Sequence, residues 1–155
     1  MLKYFRLILF VVLLCGLVTC LPCWHRQALA EAATIAVGSV NGSPGETVLV
    51  PVNIDDVAGQ TSCNISVAFD HKLLKYEGRE NGNIGAGVMG PKLAEANKRG
   101  KYDPIVSFMG EAKAGTIMYL KLTVRKGVKG DIPLTLTVPT PAGVFNTVSG
   151  KIMVR

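Results

Sequence analysis

Apolar and polar residues alternate with a period of two over four long stretches of this chain, the signature of strands with one face in a core and one in water. In the first, Val48, Val50, Val52 and Ile54 are separated by polar or turn-tolerant residues such as Pro51 and Asn53. In the second, Cys63, Ile65, Val67 and Phe69 alternate with Ser62, Asn64, Ser66 and Ala68. Met118, Leu120, Leu122 and Val124 form a third series within Thr116 to Arg125, and Ile132, Leu134, Leu136 and Val138 a fourth. Leu73–Tyr76, Ile105–Met109 and the closing Lys151–Val154 are shorter candidates.

Turn chemistry punctuates the pattern. Gly42-Ser43-Pro44-Gly45 offers a preset φ at Pro44 and tolerance of positive φ at Gly45. Asp55-Asp56-Val57-Ala58-Gly59 is a polar connection ending in glycine. Short strands at this spacing predict an all-β fold, a single antiparallel β-sandwich. Between Gly78 and Asp103 the alternation fails. There we expect a loop with one or two helical turns in Pro91–Lys98, bounded by Pro91 and Gly100.

Residues 1–30 read as an export signal. Lys3 and Arg6 precede an apolar run from Leu7 to Leu21, and Ala28-Leu29-Ala30 supplies small residues for cleavage after Ala30. The run is short for a membrane span, which needs about 20 residues. Contact with a membrane is therefore expected only if the signal stays uncleaved. Lipidation at Cys20 or Cys23 fits poorly, because Thr19 and Pro22 precede those cysteines. The expected product is exported, to periplasm, cell surface or medium, with residues 31–155 as its one domain.

Removing the signal changes the charge argument. Lys3, Arg6 and Arg26 leave with it and no acid does, so the formal charge drops from +6 to +3. That is too mild to argue for nucleic acid. Cys15, Cys20 and Cys23 leave as well, so Cys63 remains alone and no internal disulfide can form. The domain must rely on its apolar core.

Catalytic chemistry has little to work with. After the signal the only histidine is His71, in a turn beside Asp70, and no Gly-x-Ser-x-Gly elbow occurs. Cys63 sits on the apolar side of its strand and reads as a small core hydrophobe. Asp55, Asp56 and Asp70 are loop carboxylates without a calcium-loop spacing, and one histidine with one cysteine cannot close a zinc site. We expect no enzyme and no bound metal or cofactor. Sugar binding usually needs an aromatic platform. The signal takes the single tryptophan, Trp24, leaving Tyr76, Tyr102 and Tyr119 with Phe69, Phe108 and Phe145, of which Phe69 and Phe108 fall on core positions.

Pro44-Gly45-Glu46 leading into Val50-Pro51-Val52, then Ser62-Cys63-Asn64, Phe69-Asp70 and Leu74, resembles the cohesin modules of bacterial cellulosome scaffolding proteins. The likeness is strongest over Val37–Leu74. It returns at Gly115–Val124 and at the closing Gly150–Val154, and it covers a single module. It implies a β-sandwich of jelly-roll, cohesin type and a non-enzymatic adaptor that binds a dockerin-like segment, whose calcium belongs to the dockerin rather than to this chain.

In that family one flat sheet face takes the partner, with polar residues of the cysteine-containing strand contributing. Carried across, those positions are Ser62 and Asn64, where relatives often have Asn and Asp, with Ser66 further along. The neighbouring strand, Pro104 to Glu111, then offers Ser107 and Met109 with Glu111 at its end, while Val106 and Phe108 point inward. Thr135 and Thr137 are the outward candidates on a third strand. Two other readings stay open. One is a carbohydrate-binding module relying on Tyr102 or Tyr119, with polysaccharide as the ligand. The other is a structural subunit of a surface or secretion assembly.

Overall fold

A computed structural model describes residues 32–109 and 114–155; the expected export signal and Glu111 lie outside them. Ala32–Arg155 forms one compact unit. Its strands are β1 (Ala33–Val37), β2 (Val40–Gly42), β3 (Thr47–Ile54), β4 (Ser62–Ala68), β5 (Leu74–Asn81) and β6 (Gly87–Met89). After the helix α1 (Leu93–Arg99) come β7 (Lys101–Tyr102), β8 (Ile105–Ser107), β9 (Gly115–Val124), β10 (Gly130–Thr140), β11 (Phe145–Val148) and β12 (Gly150–Val154).

Two sheets face each other across the core. The smaller runs β11-β1-β3-β9-β5, and the larger runs β2-β12-β10-β4-β8-β6 with β7 also on β4. Each alternating series sends its apolar members inward: Val48, Val50, Val52 and Ile54 from β3, Met118, Leu120, Leu122 and Val124 from β9, and Cys63, Ile65 and Val67 from β4. Ile132, Leu134 and Leu136 of β10 and Ile152 and Val154 of β12 complete the opposing layer. Burial of aliphatic side chains at roughly 25 cal/mol per Å² is what holds a domain without disulfides together.

The sandwich is not wholly antiparallel, as the sequence led us to expect. β1 pairs β11 in parallel, and β12 pairs β2 in parallel. Both parallel pairs lie at sheet edges and join segments far apart in sequence, so no hairpin turn signals them. The Pro44-Gly45 turn forms as expected, with Gly45 at φ 87°.

The region with no clear pattern holds more structure than a loop. β5 continues past Tyr76 to Asn81 through an irregularity between Tyr76 and Gly78. The Ile105–Met109 candidate contributes only Ile105–Ser107 as a strand. The helical expectation is met by α1, which ends at Gly100 in the left-handed region with its N–H donated to the Ala96 carbonyl. A seven-residue helix is too short to persist alone. Ala96 is fully buried, and the Asn97 carboxamide docks on β5 like a strand neighbour. The Tyr76 N–H donates to Asn97 Oδ1 at 2.7 Å, and Asn97 Nδ2 donates to the Tyr76 carbonyl at 2.7 Å.

That two-pronged contact fixes α1, and with it the following β7 and β8. Asn97→Ala should lower unfolding free energy by about 1–3 kcal/mol, read from urea denaturation, because it leaves two part-buried backbone groups unpaired. An unchanged midpoint would show that α1 is held by Ala96 alone.

Candidate functional site

β4 lies in the middle of the larger sheet, and its register decides which side chains share the outer face. Residues opposite each other in an antiparallel pair point to the same side. Ser62 faces Ser107 and Asn64 faces Ile105 across to β8; Gly87 faces Ser107 and Met89 faces Ile105 across to β6. On the other flank, Thr137 faces Ser66 and Thr140 faces Asn64 on β10. One outward row therefore reads Met89, Ile105, Asn64, Thr140, and the next Gly87, Ser107, Ser62.

Most of the expected positions thus meet on one face. Ser62, Asn64, Ser107, Thr135 and Thr137 lie there, and Val106 and Phe108 are buried beneath it. Met109 lies just beyond β8 and is 71% exposed. A side-chain carbon added to Gly87 would sit 3.8 Å from Met109 Cε, an ordinary contact distance, so Met109 lies close to β6.

Ser66 is the correction. It points outward, yet it is only 3% exposed, because Lys101, Asp103, Pro104 and Pro139 close over it. The sequence reading also missed two apolar members. Met89 is 69% and Ile105 47% exposed, and with Met109 they form an apolar strip beside the hydroxyl and amide groups. The alternation that turned Ser107 outward, carried back one pair, would have found Ile105. Nothing in Gly82–Gly90 marked Met89.

Beside the strip lie two shallow depressions. One, about 300 Å³, is lined by Met89, Gly90, Pro91, Arg99, Asp103 and Ile105. The other, about 260 Å³, is a notch around Asn64, Ser66, Lys101, Asp103, Pro104 and Pro139. Asp103 borders both. Its Oδ2 accepts from Arg99 Nη2 at 2.7 Å, and its Oδ1 is 3.2 Å from Lys101 Nζ. Burial works to raise the Asp103 pKa, but the Ser66 hydroxyl and the Lys101 and Arg99 charges outweigh it, and the carboxyl titrates below its usual range.

A larger depression of about 500 Å³ lies on the outer face of the smaller sheet, and several of its polar groups are paired within the chain. There Thr34 N–H donates to Asp55, and Thr116 Oγ1 donates to Asn53 Oδ1.

The residues that catalysis or sugar binding would need are placed elsewhere. Cys63 is 2% exposed, and burial pushes its thiol up to about 11, so it is no nucleophile at neutral pH. His71 is exposed in its turn. Among the described residues no group of three or more His, Cys, Asp or Glu could hold a metal ion. Tyr102, a candidate for stacking sugar, is instead core: it packs on Tyr76 with ring centroids 4.7 Å apart, and Phe69 lies 6.4 Å from Tyr76. Among the described residues Tyr119 takes part in neither of the aromatic pairs.

With this geometry established, the family model described as Cohesin domain matches residues 33–146. The chain belongs to the cohesin domain family. A curated relative, cellulose-binding protein A of Clostridium cellulovorans, is 29% identical over 122 residues, 79% of this chain. The chain spans 5% of that relative's length.

Among solved structures, the Coh-OlpA cohesin of Clostridium thermocellum, from a type I cohesin–dockerin complex, aligns with a TM-score of 0.68 at 19% identity. It covers 81% of this chain and all of its own. A non-cellulosomal cohesin of Archaeoglobus fulgidus aligns with a TM-score of 0.64 at 19% identity, over 81% of this chain and 92% of its own. The likeness is one of fold, and it makes the two packed sheets of this cohesin a shared architecture.

The Asp103 carboxylate carries a pH signature. Because its folded pKa lies below the ordinary aspartate value, its contribution to stability is present above about pH 4 and lost as the pH falls below that. In urea titrations at a series of pH values, Asp103→Asn should flatten the acid limb of stability relative to wild type. Parallel limbs would mean that Arg99 and Lys101 do not hold the carboxylate.

Proposed function

We propose that this cohesin is an exported, non-enzymatic adaptor that holds a dockerin-type partner on the outer face of its larger sheet. The observation that carries the reading is the meeting, on one rigid face, of an apolar strip (Met89, Ile105, Met109) with hydrogen-bonding groups (Ser62, Asn64, Ser107). Interfaces draw affinity from a few apolar anchors and orientation from the polar groups around them. A face built on paired strands is largely pre-formed, so little ordering cost opposes binding. Thr135 and Thr137 extend the polar side, and Glu111 belongs to the segment that follows Met109.

The dockerin reading draws on family membership and on the complex containing the Clostridium thermocellum relative. Calcium belongs to the partner in this account, and none is required by this chain. Residues 1–30 act as the export signal, cleaved after Ala30, and residues 31–155 as the domain, wound as a jelly roll. Among the described residues no helix is long and apolar enough to cross a membrane. Polysaccharide degradation or cell-surface assembly is the proposed setting, and the name of the curated relative favours the former. Cellulosome membership is a separate property, since the Archaeoglobus fulgidus cohesin of the same fold is non-cellulosomal.

Titration calorimetry of the protein with a panel of calcium-loaded dockerins should give a saturable complex that disappears with chelator. Asn64→Ala should weaken it about tenfold, and Ile105→Asp should abolish it, as expected for a buried hydrogen bond and a desolvated apolar anchor respectively. Both variants should keep the wild-type circular dichroism. Wild-type affinity in Ile105→Asp would contradict this choice of face.

A further inference from the structure

The charges of this domain are spread unevenly between its two ends. Three turns meet at one end of the sandwich: 43–46 before β3, 70–73 before β5 and 125–129 after β9. Backbone hydrogen bonds tie them together. The Gly45 N–H donates to the Val124 carbonyl and the Val124 N–H to the Glu46 carbonyl, each at 2.8 Å, while the Arg125 N–H donates to the Leu73 carbonyl at 2.9 Å. Arg125 Nε also donates to the His71 carbonyl at 3.2 Å. These contacts bring Lys72, Arg125, Lys126 and Lys129 to one end, all of them exposed.

On the strands and the helix, cations meet carboxylates. Lys75 pairs with Glu77, Lys121 with Glu80, Lys151 with Asp131, and Arg99 and Lys101 with Asp103. The four cations of the turns enter no ion pair among the described residues. The two carboxylates beside them are turned to their own backbone: Glu46 Oε2 accepts from the Ser43 N–H and Asp70 Oδ1 from the Lys72 N–H, each at 2.8 Å. At the far end, where β3 finishes, stand Asp55 and Asp56, both exposed. A net charge too mild to matter when averaged over the domain is thus polarised along the strands, and a field of one sign steers and holds an opposite charge.

We propose that this basic end docks the protein on a linear polysaccharide bearing carboxylates. The proposal rests on the exported, polysaccharide-degrading setting proposed above and adds a second surface to it. None of the three depressions described above reaches these turns, so a single small anion finds no seat. Membrane-surface binding needs apolar side chains to bury among the lipids. The large exposed apolar residues, Leu49, Met89, Ile105 and Val148 among them, all lie outside these turns. Three lysines and an arginine carried on separate turns suit a chain of repeating anions, which can bind in many registers by charge alone. Such binding releases counterions and weakens as salt rises. An end of the sandwich is a different surface from the outer face of its larger sheet, so the polysaccharide and a dockerin can be held together.

The test is biolayer interferometry of the protein over immobilised polygalacturonate, neutral mannan, polyglutamate and phosphatidylglycerol vesicles, in about 0.02 M and about 0.5 M salt. Wild type should bind polygalacturonate at low salt, release it at high salt and ignore mannan. The double variant Lys126→Glu/Lys129→Glu should bind polygalacturonate about tenfold more weakly or worse. Lys92→Glu, an exposed charge reversal at the start of α1, should stay within about twofold of wild type. Both should keep the wild-type circular dichroism and dockerin affinity, so this surface and the adaptor reading fail separately. No binding of wild type to polygalacturonate, or equal binding by the double variant, would overturn the proposal. So would binding to polyglutamate or to the vesicles without binding to polygalacturonate, which would assign this end to an acidic polypeptide or to a membrane.

Discussion

The register of β4 is the constraint on which the rest depends. Its backbone pairs with β10 on one side and with β7 and β8 on the other, so its outline is fixed from both flanks. The period of two then sends Cys63, Ile65 and Val67 into the core and Ser62, Asn64 and Ser66 outward. A slip of one residue would put three apolar side chains in water and three polar ones into the apolar core. Core stability and surface chemistry are therefore one requirement, and the face inherits the rigidity of the core behind it.

What could be read from the sequence follows from the same physics. β3, β4, β9, β10 and β12 stand between core and solvent, so alternation survives in their residues, and the outward placing of Ser62, Asn64, Ser107, Thr135 and Thr137 follows from parity. β1 and β11 were not legible, because a parallel pair between Ala33–Val37 and Phe145–Val148 leaves no local turn. β6 and β7, three and two residues long, are too short to show a period. The covering of Ser66 depends on Lys101–Pro104 arriving over β4, a tertiary event invisible in the strand itself. Met89 was missed for a related reason, since its register comes from pairing with β8 and from no pattern of its own.

The face divides into two chemistries that suit different tasks. Methionines at Met89 and Met109 are flexible and polarizable, and they can accommodate partners of varied shape. Around Asp103 the groups are held by its ion pairs to Arg99 and Lys101. α1 serves both. Asn97 anchors it to β5, Arg99 reaches Asp103, and Gly100 turns the chain into β7, so this short helix helps set the geometry of the site.

The most direct test of the central claim, that the partner sits on this face, is hydroxyl-radical footprinting of the protein alone and saturated with a dockerin, read residue by residue by mass spectrometry. Met89, Ile105 and Met109 should lose reactivity in the complex, while Leu49, Tyr119 and Val148 on the smaller sheet keep theirs. Protection of Leu49, Tyr119 and Val148 with Met89 and Met109 still reactive would place the partner on the opposite sheet and contradict the account.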